Sequence, residues 1–180
     1  MEPFMATETI TLGGGCFWCT EAVYEQVDGV LSVESGYSNG HAANPSYEQV
    51  CGGDTGHNEV VRVEFDNQRI GLREVLEIFF AVHDPSTRNR QGNDVGEQYR
   101  SGIYLHSETQ RAVAQAVIDD ASKVWGGRVT TELKTVQNYS RAEDYHQHYF
   151  AKHPGQGYCA AVVAPKLAKF RKTFKERLKA

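Results

Sequence analysis

The sequence predicts an α+β chain folded as a two-layer α/β sandwich in one domain. Two observations carry this expectation. Segments with strand-like alternation and segments with helical periodicity take turns along the chain. The chain has 180 residues, 40% of them hydrophobic, enough to bury one core without disulfide staples. A third observation concerns function. Two long stretches rich in Gly, Asn and Pro interrupt the pattern, and such loops are uncommon in compact domains unless they do something.

Residues 8–12 alternate and are β-prone, so they form a first strand, which Gly13, Gly14 and Gly15 break. A helical pattern follows from 16 to about 27, then a second strand over 30–37. Residues 38–56 form the first long loop. Over 59–65 lies a clear strand in which His57, Glu59, Val61, Val63 and Phe65 share one face, while Asn58, Arg62 and Glu64 face the other way. A helix over 72–82 ends near Asp84 and Pro85. After a second polar loop, 85–96, come a strand (99–105), a long helix (108–124), a strand (129–136) and a helix (141–152) stopped by Pro154 and Gly155. A basic amphipathic helix over about 165–180 closes the single domain, residues 1–180.

That last helix holds seven of the 19 Lys and Arg residues and one acid, Glu176, in a chain whose formal net charge is −4. A basic stretch can read as a nucleic-acid contact. Leu167, Phe170, Phe174 and Leu178 follow helical spacing, however, and predict a stripe that docks on an otherwise acidic body. The apolar run 159–164 is far short of a membrane span. Met1, Glu2, Pro3 and Phe4 lack the basic-then-apolar pattern of a leader. The expectation is a cytoplasmic chain with no membrane or nucleic-acid partner.

Four cysteines are too few for a disulfide scaffold. In a reducing compartment they point to catalysis, redox chemistry or metal. Cys16 follows the glycines and opens a helix, where the macrodipole and free N–H groups favour thiolate. Cys19, three residues on, makes a C-x-x-C pair of thioredoxin-like redox type. Cys51 and Cys159 are isolated singles, and His146 and His148, two apart on a predicted helix, face different sides. No metal site is therefore expected. Phe17 and Trp18 are core aromatics or the apolar wall of a small pocket. Glu59 lies on the core-facing side of its strand, where desolvation raises a carboxyl pKa as a general acid requires. Tyr99, on the face of Ser101, Ile103 and Leu105, and Tyr47, in the long loop, are either core or hydroxyl donors.

Five blocks of sequence then resemble one family in its order. They are Gly15-Cys16-Phe17-Trp18; Asn44-Pro45-Ser46-Tyr47-Glu48; Val50-Cys51-Gly52-Gly53-Asp54-Thr55-Gly56-His57-Asn58-Glu59; Gln91-Gly92-Asn93-Asp94-Val95-Gly96-Glu97-Gln98-Tyr99-Arg100-Ser101; and Asp144-Tyr145-His146-Gln147. Over nearly its whole length the chain resembles the type A peptide methionine sulfoxide reductases. The resemblance implies an α/β sandwich with a ferredoxin-like core. It implies Cys16 as the nucleophile, Phe17 and Trp18 as the methyl pocket and Glu59 as the acid. Tyr47 and Tyr99 are then hydroxyl donors to the sulfoxide oxygen, and Asp94 a polar support. The implied reaction takes the S-epimer of methionine sulfoxide, free or in proteins, and leaves Cys16 as sulfenic acid. A second cysteine forms a disulfide, which thioredoxin reduces, so no bound cofactor is expected. The implied role is protein repair by a monomer. Three departures matter. Cys19 stands where many members have glycine, Asn58 where alanine is usual, and only Cys159 remains of a Gly-rich tail with cysteines. The resolving cysteine is then Cys159 or Cys19, and Cys51 is read as packing.

Overall fold

A computed structural model describes residues 7–179; the stretch 1–4 weighed above and residue 180 lie outside them. The elements run β1 (Thr7–Gly13), α1 (Phe17–Glu25), β2 (Val30–Ser38), α2 (Tyr47–Cys51), β3 (Asn58–Asp66), α3 (Leu72–Val82), β4 (Arg90–Gln91), β5 (Asp94–Val95) and β6 (Gly102–Leu105). They continue with α4 (Arg111–Val124), β7 (Glu132–Thr135), β8 (Ser140–Arg141), α5 (Tyr149–Lys152) and α6 (Ala164–Thr173). Six strands make one sheet in the order β7-β6-β1-β3-β2-β8. The central four, β6-β1-β3-β2, are antiparallel neighbours, with α1 joining β1 to β2 and α3 lying between β3 and β6. This is the β-α-β-β-α-β arrangement of a ferredoxin-like core. β7 adds parallel to β6 at one edge, and β8 antiparallel to β2 at the other.

Strand alternation decides the two layers. Ile10, Leu12, Val61, Val63, Phe65, Ile103 and Leu105 join Phe17, Val23 and Tyr24 of α1, Val75, Leu76 and Phe79 of α3, Val117 of α4 and Phe170 of α6 in one core. Each such side chain contributes about 1.5–3 kcal/mol by leaving water. The opposite face of the sheet carries polar residues, with the Arg62 guanidinium 3.8 Å above the Tyr139 ring.

The tail docks through its stripe, but the single helix expected over about 165–180 ends at Thr173 and is followed by a 3₁₀ turn, Lys175–Arg177. Phe170 is buried, and Leu167, Phe174 and Leu178 pack against the core. Backbone bonds fasten it: Asp28 N–H donates to Arg177 C=O (2.7 Å) and Lys179 N–H to Gln26 C=O (2.8 Å).

Four other expectations are corrected. The first long loop contains α2, started by a reciprocal capping box between Ser46 and Gln49. Tyr99 is not on a strand; it ends a 3₁₀ turn, Glu97–Tyr99, and the strand begins at Gly102. The strand expected over 129–136 shortens to β7. The helix expected over 141–152 is broken into β8, a 3₁₀ turn (Asp144–His146) and α5. Long-range bonds outcompete helix formation in that segment. The Gln147 amide accepts from Ser35 N–H (3.0 Å) and donates to Ser35 C=O (2.9 Å) and Ala142 C=O (3.1 Å). Glu143 accepts from Tyr37 O–H (2.8 Å) and Tyr47 N–H (2.9 Å). His148 then turns the chain with a left-handed backbone, φ 56°.

Candidate active site

Cys16 is the residue that caps α1, in extended backbone (φ −60°, ψ 127°) and partly exposed. Two of the glycines before it are required sterically. A Cβ on Gly13 would collide with Asn58 Nδ2, and Gly15 has φ +94° with the Gln91 side chain against its Cα. Asn58 cannot move aside, because its amide donates to Arg100 C=O (3.0 Å) and to Tyr104 Oη (2.9 Å). Gly13→Ala is expected to cost roughly 1–3 kcal/mol through this overlap, read as a lower urea midpoint at unchanged slope.

Glu59 reaches the same helix start from β3. It is 1% exposed. Its Oε1 accepts the Phe17 backbone N–H at 3.2 Å, and its Oε2 is buried with no hydrogen-bond partner among the described residues. Burial pushes its pKa up to about 8, against the pull of the Phe17 N–H and with help from Asp94. At neutral pH the carboxyl therefore holds a proton, and its unpartnered oxygen can offer that proton to a ligand.

The thiolate expected at Cys16 is corrected for the resting site. Burial first, then the charges of Glu59 and Cys19, push its thiol well above the ordinary range; the Trp18 backbone N–H opposes them without winning. Desolvation outweighs the helix start.

Tyr47 and Tyr99 are held neutral, mainly by burial, and both are raised further by the charge of Glu59. Asp94 stands on the β4–β5 hairpin and accepts the Tyr158 O–H at 2.5 Å. Phe17 is buried, its ring 5.1 Å from that of His146 and 5.7 Å from that of Tyr37. Trp18 is partly buried and stacks on Tyr149 at 3.9 Å. Together they form an apolar wall beside the thiol.

One residue escaped the sequence reading. His146 is buried within this wall and accepts the Trp18 Nε1–H on Nδ1 at 3.1 Å. Burial lowers its pKa, so it is neutral with its proton on Nε2, which has no partner among the described residues. The block Tyr145-His146-Gln147 contained the signal; the helix expected there concealed it.

All four cysteines are free. Cys51 is exposed at the end of α2, so it is not a packing residue. Cys159 opens a π-helical turn, Cys159–Val163, that runs into α6. It is fully buried in a small cluster with Cys19, Ala22 and Val163. His57 serves the loop instead of the chemistry: its Nδ1 accepts Gly40 N–H (3.1 Å) and its Nε2–H meets Ala42 C=O (2.6 Å).

A partly exposed thiol and a protonated, desolvated carboxyl at one helix start suit the class of thiol-dependent oxidoreductases. Residues 8–178 match the family model described as peptide methionine sulfoxide reductase. The chain is 57% identical over 170 residues to a peptide methionine sulfoxide reductase MsrA of Polynucleobacter asymbioticus, covering 93% of this chain and 90% of that one. It is 55% identical over 172 residues to one of Saccharolobus solfataricus, covering 96% and 97%. A crystal structure of Mxr1 from Saccharomyces cerevisiae in reduced form superposes with a TM-score of 0.79 at 36% identity, covering 85% of this chain and 89% of that one. The chain belongs to the peptide methionine sulfoxide reductase family, and the reaction it catalyses is the reduction of methionine sulfoxide to methionine.

Proposed function

We propose that the chain reduces the S-epimer of methionine sulfoxide, free or in proteins, using Cys16 as nucleophile and Glu59 as acid. The observation that carries these roles is the buried, protonated Glu59 with a partnerless Oε2 beside Cys16. A sulfoxide oxygen is a poor leaving group until it is protonated. Glu59 supplies that proton as the Cys16 sulfur bonds to the substrate sulfur, and the Cys16 proton is left to restore the acid. The Tyr47 and Tyr99 hydroxyls orient the oxygen, Asp94 supports the site through Tyr158, and Phe17 and Trp18 hold the methyl group. The S–S bond then breaks as hydroxyl passes to Cys16. Methionine leaves, the substrate sulfur has gained two electrons, and Cys16 is sulfenic acid.

For the next step the packing favours a relay. Cys19 begins the turn after Cys16, its N–H donating to Cys16 C=O at 3.1 Å, and Cys159 packs on Cys19. The Cys19 thiol attacks the sulfenic acid, releasing water and forming Cys16–Cys19. The Cys159 thiol attacks the Cys19 sulfur and frees Cys16 as a thiol. An external dithiol of the thioredoxin class then reduces Cys19–Cys159 by two electrons, so no bound cofactor is needed. Peptide mass mapping after one turnover tests this. The expected products are Cys19–Cys159 in the wild type and Cys16–Cys19 in Cys159→Ser; a direct Cys16–Cys159 bond in the wild type overturns the relay.

The proposed setting is a monomeric catalytic domain, 1–180, acting in the cytoplasm in protein repair. Among the described residues no helix is long and apolar enough to cross a membrane. The large exposed apolar side chains, Leu31, Val95, Val124 and Tyr145, belong to separate elements and loops. The docked stripe, Leu167 and Phe170 of α6 with Phe174 and Leu178 beyond it, gives the tail a packing role.

A further inference from the structure

Glu21 and Glu25 lie four residues apart on one face of α1, where two like charges repel. His148, brought back to that face by its left-handed backbone, meets both. Its Nδ1 is 2.8 Å from Glu25 Oε2 and 3.9 Å from Glu21 Oε2. One donor atom from each residue falls within 4.8 Å of the other two. No Lys or Arg among the described residues pairs with either carboxylate; His148 is the partner of both.

A plain histidine–carboxylate pair satisfies Glu25 but not Glu21. The Glu21 side chain is 1% exposed, and its Oε2, aimed at the cluster, has no hydrogen-bond partner among the described residues. Burial pushes the pKa of the Glu21 carboxyl up to about 7, opposed by the backbone N–H groups of His148 and Tyr149. His148 and Glu25 remain open to water, with side chains 50% and 27% exposed. The three groups thus form a cup with a buried floor and an accessible rim.

We propose that Glu21, Glu25 and His148 bind one divalent transition-metal ion of the zinc class, with water completing its coordination. Ligand bonds of about 2.0–2.2 Å put neighbouring donor atoms roughly 3.3 Å apart. The His148–Glu25 contact opens from 2.8 Å and the His148–Glu21 contact closes from 3.9 Å toward that spacing, while the two carboxylates, within 4.8 Å of each other, draw together. An imidazole and two carboxylates suit Zn²⁺ and Co²⁺. The ion staples α1, which presents Cys16, to the segment that holds His146 and Tyr149 against Trp18. The expectation of no metal considered the cysteines, of which Cys51 and Cys159 are isolated singles, and the pair His146 and His148 on a regular helix; it did not weigh His148 against Glu21 and Glu25.

Co²⁺ is the probe, because its visible spectrum reports ligation and its near-ultraviolet charge-transfer band reports thiolate. Titration of the intact, reduced protein is expected to give one bound ion with no thiolate band, displaced by Zn²⁺. His148→Gln, a change at an exposed rim residue, is expected to weaken binding by at least about tenfold. Glu21→Gln should do the same, and a rise in Tm on adding Co²⁺ should be lost in both variants. Absence of binding, a thiolate band, or unchanged affinity in His148→Gln each overturns the proposal.

Discussion

Cys16→Ser is expected to reduce turnover of a methionine S-sulfoxide by roughly 10⁴-fold or more, the scale on which removing a catalytic nucleophile acts. A serine hydroxyl fits the space and caps a helix at least as well as a thiol, so the fold should survive. What it lacks is a sulfur able to give two electrons to the substrate and to hold the oxygen as sulfenic acid. The same variant should form no Cys19–Cys159 bond when mixed with substrate, because the relay begins at Cys16. Substrate consumption and thiol counting after one turnover check both halves. Sustained reduction by the serine variant removes Cys16 from the reaction.

Glu59→Gln is expected to slow the first step by about 10²–10⁴-fold, the range for a lost general acid. The amide keeps the size of the side chain and can still accept the Phe17 N–H, but cannot deliver the proton. The wild-type single-turnover rate should fall as pH rises through about 8, where the acid is lost. The Cys16 thiol ionises at still higher pH, so gain of thiolate does not compensate in that window. The residual rate of the variant should not show the fall near 8. Stability should also fall with rising pH, over a window that begins lower. The folded-state pKa of Glu59 is raised from 4.5, so wild-type stability is full below that value and declines until pH passes about 8. At about 1.36 kcal/mol per pH unit the loss is on the order of 5 kcal/mol. Glutamine escapes it, and the variant should melt above the wild type at pH 9. A wild-type first-step rate in the variant removes Glu59 as the acid.

Much of this was legible because short-range patterns decide it. Alternation put Glu59 on the core-facing side of β3, and the glycines before Cys16 marked a strand-to-helix turn. The tail stripe predicted its own docking. What could not be read depends on contacts distant in sequence. Gln147 and Glu143 bind β2 and α2 and break a segment whose periodicity alone is helical, and this places His146 in the pocket wall. Alternation set Asn58 on the open face, yet that end of β3 is covered and Asn58 is buried under β6. Tyr99 was assigned to a strand because a 3₁₀ turn of three residues leaves no period to detect. The thiolate expectation failed for a different reason: a helix start is visible in sequence, whereas the desolvation and negative charge around Cys16 are tertiary properties.

The fastening of the tail has a consequence for how the molecule is made. Synthesis proceeds from the N-terminus, and the ferredoxin-like core is finished with β6, long before Arg177 and Lys179 can bond to Asp28 and Gln26. Until those residues leave the ribosome, the socket for Phe170 stays open and Cys159 is not yet packed on Cys19. In the proposed scheme the nascent chain therefore carries Cys16 before Cys159 is in place to complete its resetting. Under the proposed relay, an oxidant that reaches Cys16 during translation can carry the chain only as far as Cys16–Cys19, because Cys159 is not yet in place to take over the disulfide.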